Sequence, residues 1–503
     1  MSETGTEPPT AARRLPDPER AANIQYNLSL TELRELAGDD ERATEYGSPA
    51  YVSEYRSRSA DRTKNAIDHA FDDDDHAIVR DAIGEVSNRE MVCVDRLVGR
   101  HPDATYCCRL YVPTEFARIA LTWAKLFEPT DGRDPDFTTV QLPDREDVAI
   151  RILPDEGTTV VVGSDYTGEA KKSFLRLFMY RVKTQGGLGL HAGSKRVTVR
   201  DDADEQRTVG QLFLGLSATG KSTLTSHGCW LEEPESAEMT QDDVCAILPD
   251  GSVAGSEGKG LYIKTIGLTA DEQPALYDAA TADSAVLENV AVDEDGAVDF
   301  DDDSYTSNGR AVVQREELSS AADDIDLDRV DQIFFITRNP LMPPVAKLDG
   351  AQAAVAFMLG ESIETSAGDP ERAGESIRVV GTNPFIIGPE GEEGNTFQQL
   401  VDSLDVDCFV LNTGYVGDES VDIGVYESVT ILTEIARGSV EWTADERLGM
   451  TIPETVPGID VDQFYVPDHV DEFEDAIDEL RTDRREYLAS FPTLDEEIVD
   501  AVY

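Results

Sequence analysis

The stretch from Gly215 to Ser222 constrains the fold more than any other part of the chain, because it reads G-x-x-x-x-G-K-S. In this pattern backbone N–H groups and the lysine hold nucleotide phosphates, and the final hydroxyl binds Mg²⁺. A strand-like segment precedes it at Val209–Leu214, and a possible helix start follows it at Thr223–His227. The context therefore predicts a phosphate-binding loop. The residues assigned to nucleotide binding are Gly215, Leu216, Ser217, Ala218, Thr219, Gly220, Lys221, Ser222 and Thr223.

Charge narrows the range of partners. The chain has 503 residues, and 101 acidic residues against 43 basic ones give a formal net charge of −58. Such a surface repels nucleic acid and anionic membrane, so neither is expected as a partner. The acidity is spread along the whole chain, which is typical of a protein in a salt-rich cytoplasm, where screening relieves self-repulsion.

Lysine usage points back to the phosphate loop. The chain has ten lysines, and seven of them lie between positions 171 and 264. A chain that avoids lysine elsewhere but keeps it here is expected to use ammonium groups for anions or metal. A locally basic segment of the fold is the alternative.

The cysteines and the apolar segments indicate a soluble, cytoplasmic protein. Six cysteines show no C-x-x-C spacing and read as reduced, buried thiols. No run approaches the roughly 18 apolar residues of a membrane span. Residues 1–22 lack the apolar core of a signal peptide.

Hydrophobic periodicity predicts a mixed α/β (α+β) fold. The acidic run Asp72–Asp75 is expected to be a solvated surface. The predicted helices are 27–38 with Ser29 as cap, 71–90, 115–127, 350–359, 428–437 and a helical tail. The predicted strands are 91–97, 105–112, 138–142, 148–153, 158–162, 209–214, 244–248, 261–266, 285–292 and 332–337.

The domain boundary is placed at Gly186-Gly187. The predicted parts are a mobile arm at 1–22, an N-terminal domain at 23–186, a C-terminal domain with the phosphate loop at 187–468 and the tail at 469–503.

A lysine (Lys171 or Lys172), a histidine (His191) and an aspartate (Asp242 or Asp243) near the phosphate loop could together bind a divalent metal. Mn²⁺ accepts such mixed nitrogen and oxygen ligands more readily than Mg²⁺ does. A structural histidine is the alternative for His191 taken alone. In an ordinary Walker B motif the strand precedes the acid, whereas here the predicted strand 244–248 follows it, which argues against a typical ATPase core.

From about Tyr51 to Gly458 the chain resembles the ATP-dependent phosphoenolpyruvate carboxykinases, whose motifs occur in the same order. The segments that carry the resemblance are the phosphate loop, 166–174, 240–243, 257–265, 285–290, 343–348, 411–415 and 452–458. The resemblance implies an N-terminal substrate-binding domain and a C-terminal mononucleotide- and metal-binding domain of the carboxykinase type.

The resemblance also implies roles for single residues. Lys172, His191 and Asp243 are expected to hold Mn²⁺. Lys221 is expected to hold the phosphates of ATP, and Ser222 the Mg²⁺ that accompanies them.

For the substrate, the resemblance implies that Arg58 binds carboxylate and CO₂ and that Tyr166 and Arg310 complete an oxaloacetate pocket. Lys171 and Lys264 are expected to neutralise charge beside the transferred phosphoryl group.

The implied reaction converts oxaloacetate and ATP to phosphoenolpyruvate, ADP and CO₂, as in gluconeogenesis, in a monomeric enzyme. Some positions depart from the family pattern: Ala218 replaces a glycine, Val244 an acid, and Gly417–Asp422 lacks the usual arginine. The loop around Arg58 also lacks a proline and one lysine. A relative with a weakened nucleotide- and oxaloacetate-binding site, or another phosphotransferase such as a carrier-protein kinase, are the alternatives.

Overall fold

The computed structural model describes residues 15–55, 60–201, 203–216, 219–271, 273–363, 376–417 and 421–503. Most of the predicted arm lies outside the described residues, as do Arg58, Ser217 and Ala218.

Each of the predicted helical segments contains a helix, whereas the helices at Pro274–Ala280 and Glu390–Leu404 were not predicted. Ser29 caps the first helix in a capping box with Glu32, as predicted. The helices are α1 (Leu30–Leu36), α2 (Asp73–Val86), α3 (Ala117–Ala124), α4 (Thr167–Thr184), α5 (Lys221–Ser226), α6 (Pro274–Ala280), α7 (Gly350–Leu359), α8 (Glu390–Leu404), α9 (Val425–Arg437), α10 (Phe473–Leu488) and α11 (Glu496–Asp500).

The strands are more numerous than the sequence predicts, and some of the predicted strands are shorter or interrupted. For example, Asn289, with φ of 60°, separates two strands where one was expected at 285–292. The strands are β1 (Ile24–Tyr26), β2 (Arg42–Ala43), β3 (Pro49–Tyr51), β4 (Thr63–Asn65), β5 (Met91–Val98), β6 (Tyr106–Pro113), β7 (Glu128–Pro129), β8 (Phe137–Leu142), β9 (Ala149–Leu153), β10 (Thr158–Val162), β11 (Leu188–Leu190), β12 (Ala192–Arg200), β13 (Gln206–Leu214), β14 (Ser236–Gln241), β15 (Cys245–Ile247), β16 (Val253–Gly255), β17 (Gly260–Lys264), β18 (Val286–Glu288), β19 (Ala291–Val292), β20 (Val298–Asp299), β21 (Arg310–Gln314), β22 (Gln332–Thr337), β23 (Val345–Leu348), β24 (Glu361–Ile363), β25 (Ser376–Arg378), β26 (Asp407–Asn412), β27 (Tyr415–Val416), β28 (Val421–Asp422), β29 (Glu441–Asp445) and β30 (Met450–Thr455).

The chain divides into two compact units. The first unit comprises residues up to Tyr180 together with Ser256–Ser319, and the second comprises Arg181–Gly255 and Ser320–Tyr503. This division differs from the predicted contiguous one, because 256–319 belongs to the first unit. The reason is strand pairing: β18 runs parallel to β3, with Leu287 opposite Ala50.

In the first unit, an eight-stranded sheet has the order β1-β5-β6-β8-β10-β9-β4, with β7 paired to β5. Helix α2 packs against it through Val79, Ile83 and Val86. A five-stranded sheet of order β17-β21-β18-β3-β2 completes the unit and carries several of the predicted site residues.

The acidic run before and within α2 is not a uniformly solvated surface, contrary to the prediction. Asp72 caps the helix, and the Asp75 side chain is only 2% exposed. Asp75 pairs with Arg151 at 2.5 Å and with Lys64 at 2.8 Å. The sequence could not reveal this, because both partners lie on strands that pair only in the folded sheet.

In the second unit, an eight-stranded sheet has the order β14-β12-β13-β22-β26-β23-β30-β29. Its central strands β13, β22 and β26 are parallel, so their carboxyl ends meet at one edge. We call this end of the sheet the phosphate edge, because β13 leads there into the phosphate loop. Ligands of open α/β sheets bind at such an edge.

Both faces of this sheet are covered by apolar packing. On one face, Phe213, Phe334 and Phe409 stack in series and α9 packs over them. On the other face lie α7, α8, α10 and α11. The predicted apolar face of the tail is confirmed, since Phe473 and Ile477 are buried in this core.

Two predictions made from the composition concern the cysteines and membrane-spanning helices. All six cysteines are buried and free. Among the described residues, no helix combines the length and the apolar character needed to cross a membrane.

Candidate active site

The phosphate loop joins β13 to α5 at the phosphate edge. Gly220 has φ of +94°, a conformation that favours glycine, and it directly precedes α5. The loop is held from within, because the Thr219 hydroxyl donates to the Leu216 carbonyl at 2.8 Å. The loop is also held by the turn that follows β26, because the Thr413 hydroxyl donates to the Thr219 carbonyl at 2.7 Å.

The two chemical groups of the loop stay accessible. Lys221 is half-buried at the first position of α5, and Ser222 is exposed. Thr225 anchors the helix by donating to the Lys221 carbonyl at 2.8 Å. The backbone is therefore fixed while the ammonium and hydroxyl groups can reach a ligand.

His191 and Asp243 lie at the same edge as the phosphate loop because of strand register. His191 immediately precedes β12, whose first residue Ala192 pairs with Leu214 at the end of β13. Asp243 follows β14, whose last residue Gln241 pairs with β12 near its start. The Asp pair therefore lies between two strands, β14 before it and β15 after it, which corrects the predicted order of strand and acid. Strand β14 pairs with β12 and not with β13.

The hydrogen bonds of His191 prepare it to bind a cation. Its Nδ1 lies 2.7 Å from the Thr382 carbonyl oxygen, which can only accept, so Nδ1 carries hydrogen. Its Nε2 lies 3.0 Å from the Asp243 Oδ1. In the neutral ring both of these atoms are acceptors, so a shared proton or a metal must lie between them.

The same spacing suits a metal. Two ligand atoms side by side on an octahedral ion, each about 2.1 Å from it, are about 3 Å apart. The histidine, with its backbone partner on the second nitrogen, and the carboxylate therefore fit a divalent metal. Among the described residues, no group of three or more His, Cys, Asp and Glu could hold one, so a third ligand drawn from them would be of another type.

In the first unit, Glu288 on β18 fixes the start of α4. Its Oε1 accepts the Thr167 N–H at 3.0 Å, and its Oε2 accepts the Tyr262 hydroxyl. Burial raises the pKa of Glu288 and also raises that of Tyr262, which the neighbouring carboxylate raises further. Gly168 leaves room for Tyr166, since a Cβ there would lie 2.3 Å from the tyrosine ring.

Two cations lie over the ring of Tyr262. The Lys171 Nζ is 5.4 Å and the Arg310 Cζ 5.5 Å from its centroid. Lys171 also pairs with Glu257 at 2.9 Å, and both side chains are almost fully buried. The Tyr166 ring lies 6.2 Å from that of Tyr262.

Asn308 connects two of the predicted substrate residues. Its Nδ2 donates to the Tyr166 hydroxyl at 3.1 Å, and its Oδ1 accepts from Arg310 at 2.8 Å. We call Tyr166, Lys171, Tyr262, Glu288, Asn308 and Arg310 together the Tyr262 cluster. Because Tyr166, Lys171 and Arg310 bring a hydroxyl and two cations around the Tyr262 ring in a strongly acidic protein, the cluster is suited to a small anion.

Asp165, the residue before Tyr166, holds the last described residues before the 56–59 segment. Its carboxylate accepts the Glu54 and Tyr55 N–H groups, each at 2.8 Å, and pairs with Arg118 at 2.6 Å. The chain thus enters 56–59 from a point fixed beside Tyr166; Arg58 itself lies outside the described residues.

The structure places the remaining predicted residues as follows. Lys264 is exposed at the end of β17, opposite Arg310 in the pairing with β21. Lys172 is half-buried in α4, in the first unit, whereas His191 and Asp243 belong to the second.

Sequence reasoning gave no role to Tyr262, Glu288, Asn308, Asp165 or Arg118. Tyr262, Glu288 and Asp165 lie inside or next to segments that carried the resemblance, and Asn308 begins the N-G-R triplet. Their proximity to these motifs was the signal that could have identified them. Arg118 carried no signal, because nothing in the sequence marks this helical arginine until its carboxylate partner is known.

Comparison with known proteins identifies the family of the chain. A family model described as phosphoenolpyruvate carboxykinase matches residues 22–462. A protein of Aeropyrum pernix named phosphoenolpyruvate carboxykinase (ATP) is 36% identical over 94% of this chain and 96% of its own. Proteins of the same name from Mesorhizobium japonicum and Brucella anthropi are 28% and 26% identical, over 76% and 92% of this chain and 72% and 90% of theirs.

Proposed function

Because the chain belongs to the phosphoenolpyruvate carboxykinase family, we propose that it converts oxaloacetate and ATP to phosphoenolpyruvate, ADP and CO₂. The observation that carries this proposal is the Tyr262 cluster. It gathers Tyr166, Lys171 and Arg310 in a chain whose net charge is −58, which suits a small dicarboxylate. A kinase of a carrier protein has no need of such a cluster.

The first step in this proposal is loss of CO₂ from oxaloacetate, which leaves an enolate. Arg310 stabilises the growing negative charge, and Tyr166 orients the substrate through the hydrogen bond that Asn308 donates to it. Arg58 is assigned to the carboxylate that leaves as CO₂.

The second step is in-line attack of the enolate oxygen on the γ-phosphoryl group of ATP. Lys221 holds the phosphates, and Lys171 and Lys264 neutralise charge on the transferred group. The nucleophile is already an anion, so the step needs no general base.

The metal assignment is part of the proposal. His191 and Asp243 would hold Mn²⁺ with Lys172, and Ser222 would hold the Mg²⁺ that accompanies ATP. When bound, these ions supply Lewis-acid stabilisation of the enolate and of the phosphates. The shared position between the His191 and Asp243 side chains supports the first assignment, and the resemblance alone supports Lys172.

We assign the activity to a monomer in a salt-rich cytoplasm. The dispersed acidity and the six buried free thiols support this setting. Activity and secondary structure should both be lost on dialysis into low salt and should return when KCl is restored. Full activity in the absence of salt would contradict the assignment.

One assay tests the activity directly. Purified protein in high salt, with Mn²⁺, Mg²⁺, oxaloacetate and ATP, should form phosphoenolpyruvate. Binding of ATP and GTP without product would refute the proposal and favour a relative with a weakened site.

A second assay tests the metal residues. Lys172→Ala, His191→Ala and Asp243→Ala should lower turnover and the response to Mn²⁺ together. If His191→Ala left both unchanged, the metal assignment would be wrong.

A further inference from the structure

Arg338 stands at the phosphate edge, next to the phosphate loop. Strand β22 is the parallel neighbour of β13, and it ends at Thr337. The Thr413 hydroxyl bridges the phosphate loop and the end of β22, at 2.7 Å from the Thr219 carbonyl oxygen and 3.4 Å from that of Thr337. Arg338 therefore leaves the sheet at the place where a nucleoside triphosphate would lie on the loop.

The turn after β26 packs against the stem of Arg338. A Cβ added to Gly414 would lie 3.2 Å from the Arg338 Cβ and 3.3 Å from its Cγ. This turn is rigid, because the buried Asn412 side chain accepts the Gly414 N–H at 3.0 Å and donates to the carbonyls of Asn339 and Met342 at 2.9 Å each. The base of the arginine is thus held in place on a rigid element.

Among the described residues, the half-buried guanidinium of Arg338 lacks the carboxylate partner that three more deeply buried arginines have. Arg118, Arg151 and Arg484 each pair with a carboxylate at 2.7 Å or less. Within the described parts of the chain, Arg338 forms no ion pair, and its buried Nε has no hydrogen-bond partner. Partial burial lowers the pKa of Arg338.

A partly buried cation without an ion-pair or hydrogen-bond partner lowers the stability of the fold, because the hydrogen bonds to water that it loses on folding are not replaced. A chain with 101 acidic residues could readily have supplied a carboxylate here. The segment that follows the Gly414 turn, Gly417–Asp422, supplies no cation to this edge either, since it holds three acidic residues and no basic one. An anionic ligand would complete the site.

We propose that Arg338 binds the phosphates of the nucleotide together with Lys221. The planar guanidinium offers paired donors that match phosphate oxygens, whereas the ammonium of Lys221 acts as a point charge. This inference rests on the proposed function, in which a nucleoside triphosphate occupies the phosphate edge.

The test measures nucleotide binding in the absence of oxaloacetate. Arg338→Ala should weaken ATP binding about ten- to hundredfold in calorimetry at high salt, which is the loss expected for a hydrogen bond between charged groups. Tripolyphosphate, which lacks base and ribose, should lose affinity by the same factor. Arg338→Lys should recover part of the loss.

Arg329→Ala is the matched control. Arg329 precedes the other end of β22, with its guanidinium 3.3 Å from Asp331 and a side chain that is 58% exposed. Its removal takes away one charge from the same unit and should leave ATP affinity unchanged. ATP binding by Arg338→Ala within twofold of the wild type would overturn the proposal, as would an undiminished affinity for tripolyphosphate.

Thermal stability separates ligand binding from a structural role. Without nucleotide, Arg338→Ala should melt at the same temperature as the wild type or higher, because a cation without a partner has been removed. A lower melting temperature together with unchanged ATP affinity would assign Arg338 to the fold and refute the proposal.

A second variant leaves the charge in place. Gly414→Ala presses on the Arg338 stem and should weaken ATP binding by a smaller factor than Arg338→Ala does; no change in affinity would count against the proposal. The binding measurements do not depend on turnover. Wild-type protein that binds ATP but forms no phosphoenolpyruvate would refute the proposed function, whereas the role of Arg338 is decided by the affinities alone.

Discussion

The phosphate edge and the Tyr262 cluster, the two proposed anion sites, are built differently. At the edge, one contiguous stretch supplies the half-buried Lys221 and the exposed Ser222 on a backbone that Thr219 and Thr413 hold. The cluster instead gathers residues from positions 166 to 310 through hydrogen bonds among buried and half-buried groups. A change at the edge should therefore affect ligands alone, whereas a change in the cluster should affect ligands and folding together.

The largest expected effect is at the edge. Lys221→Ala should lower kcat/KM for ATP about a thousandfold, because a positioned cation on transferring phosphates is lost. Its melting temperature should match that of the wild type, since the side chain is accessible. Steady-state kinetics and calorimetry check both statements.

Lys347→Ala provides the control for Lys221→Ala. Lys347 belongs to the same unit, and its ammonium lies 2.8 Å from Asp407 on the surface. This variant should keep wild-type kinetics. A Lys221→Ala protein that is strongly destabilised would remove the contrast between the two regions.

The second expected effect is on stability, and it belongs to the cluster. Glu288→Ala leaves the Thr167 N–H and the Tyr262 hydroxyl without their acceptor. The free energy of unfolding should fall by about 2–4 kcal/mol, and the KM for oxaloacetate should rise because the start of α4 carries Tyr166. Denaturant titration and kinetics measure the two quantities.

The exposed Glu317 of the same unit is the comparison for Glu288, and Glu317→Ala should change stability by less than about 0.5 kcal/mol. If Glu288→Ala were equally mild, the hydrogen bonds of Glu288 would not be what holds the cluster.

The same contrast decides how much the sequence predicts. The phosphate loop, its flanking strand and most helices follow from local pattern, because a contiguous motif and a 3.6-residue period are visible without the fold. Ser29 as cap and the apolar face of α10 are confirmed for that reason.

What the sequence does not predict depends on pairing between distant segments. The placement of 256–319 in the first unit requires β18 to pair with β3, and the burial of Asp75 requires Arg151 from β9. The role of Glu288 requires both Thr167 and Tyr262. No local sequence pattern shows which carboxylate will be buried when the chain folds.

A third, smaller effect concerns pH. Burial raises the pKa of Glu288 in the folded protein above its ordinary value of 4.5. Its contribution to stability is therefore fully present below pH 4.5 and is lost as pH rises through the raised pKa. Glu288→Gln keeps an acceptor for the Thr167 N–H but cannot ionise.

The stability of Glu288→Gln relative to the wild type should accordingly increase with pH above 4.5. Denaturant titrations across pH 4.5–8, with both proteins in the same salt, give this difference. A difference that decreases with pH would mean that the ionised carboxylate is favoured in the fold, and the cluster would then be an ion-pair site.

The smallest expected effect tests whether Asn308 acts through its neighbours. Asn308→Ala removes the bond to the Tyr166 hydroxyl and the one from Arg310, and should raise the KM for oxaloacetate about fivefold, with kcat and the KM for ATP little changed. Tyr166→Phe keeps the ring and removes only the acceptor. If Asn308 orients the tyrosine, the double variant should lose less than the sum of the two single losses, by about 1 kcal/mol. Additive losses would show that Asn308 and Tyr166 contact the substrate independently, and the cluster would then resemble the phosphate edge in being a set of separate contacts.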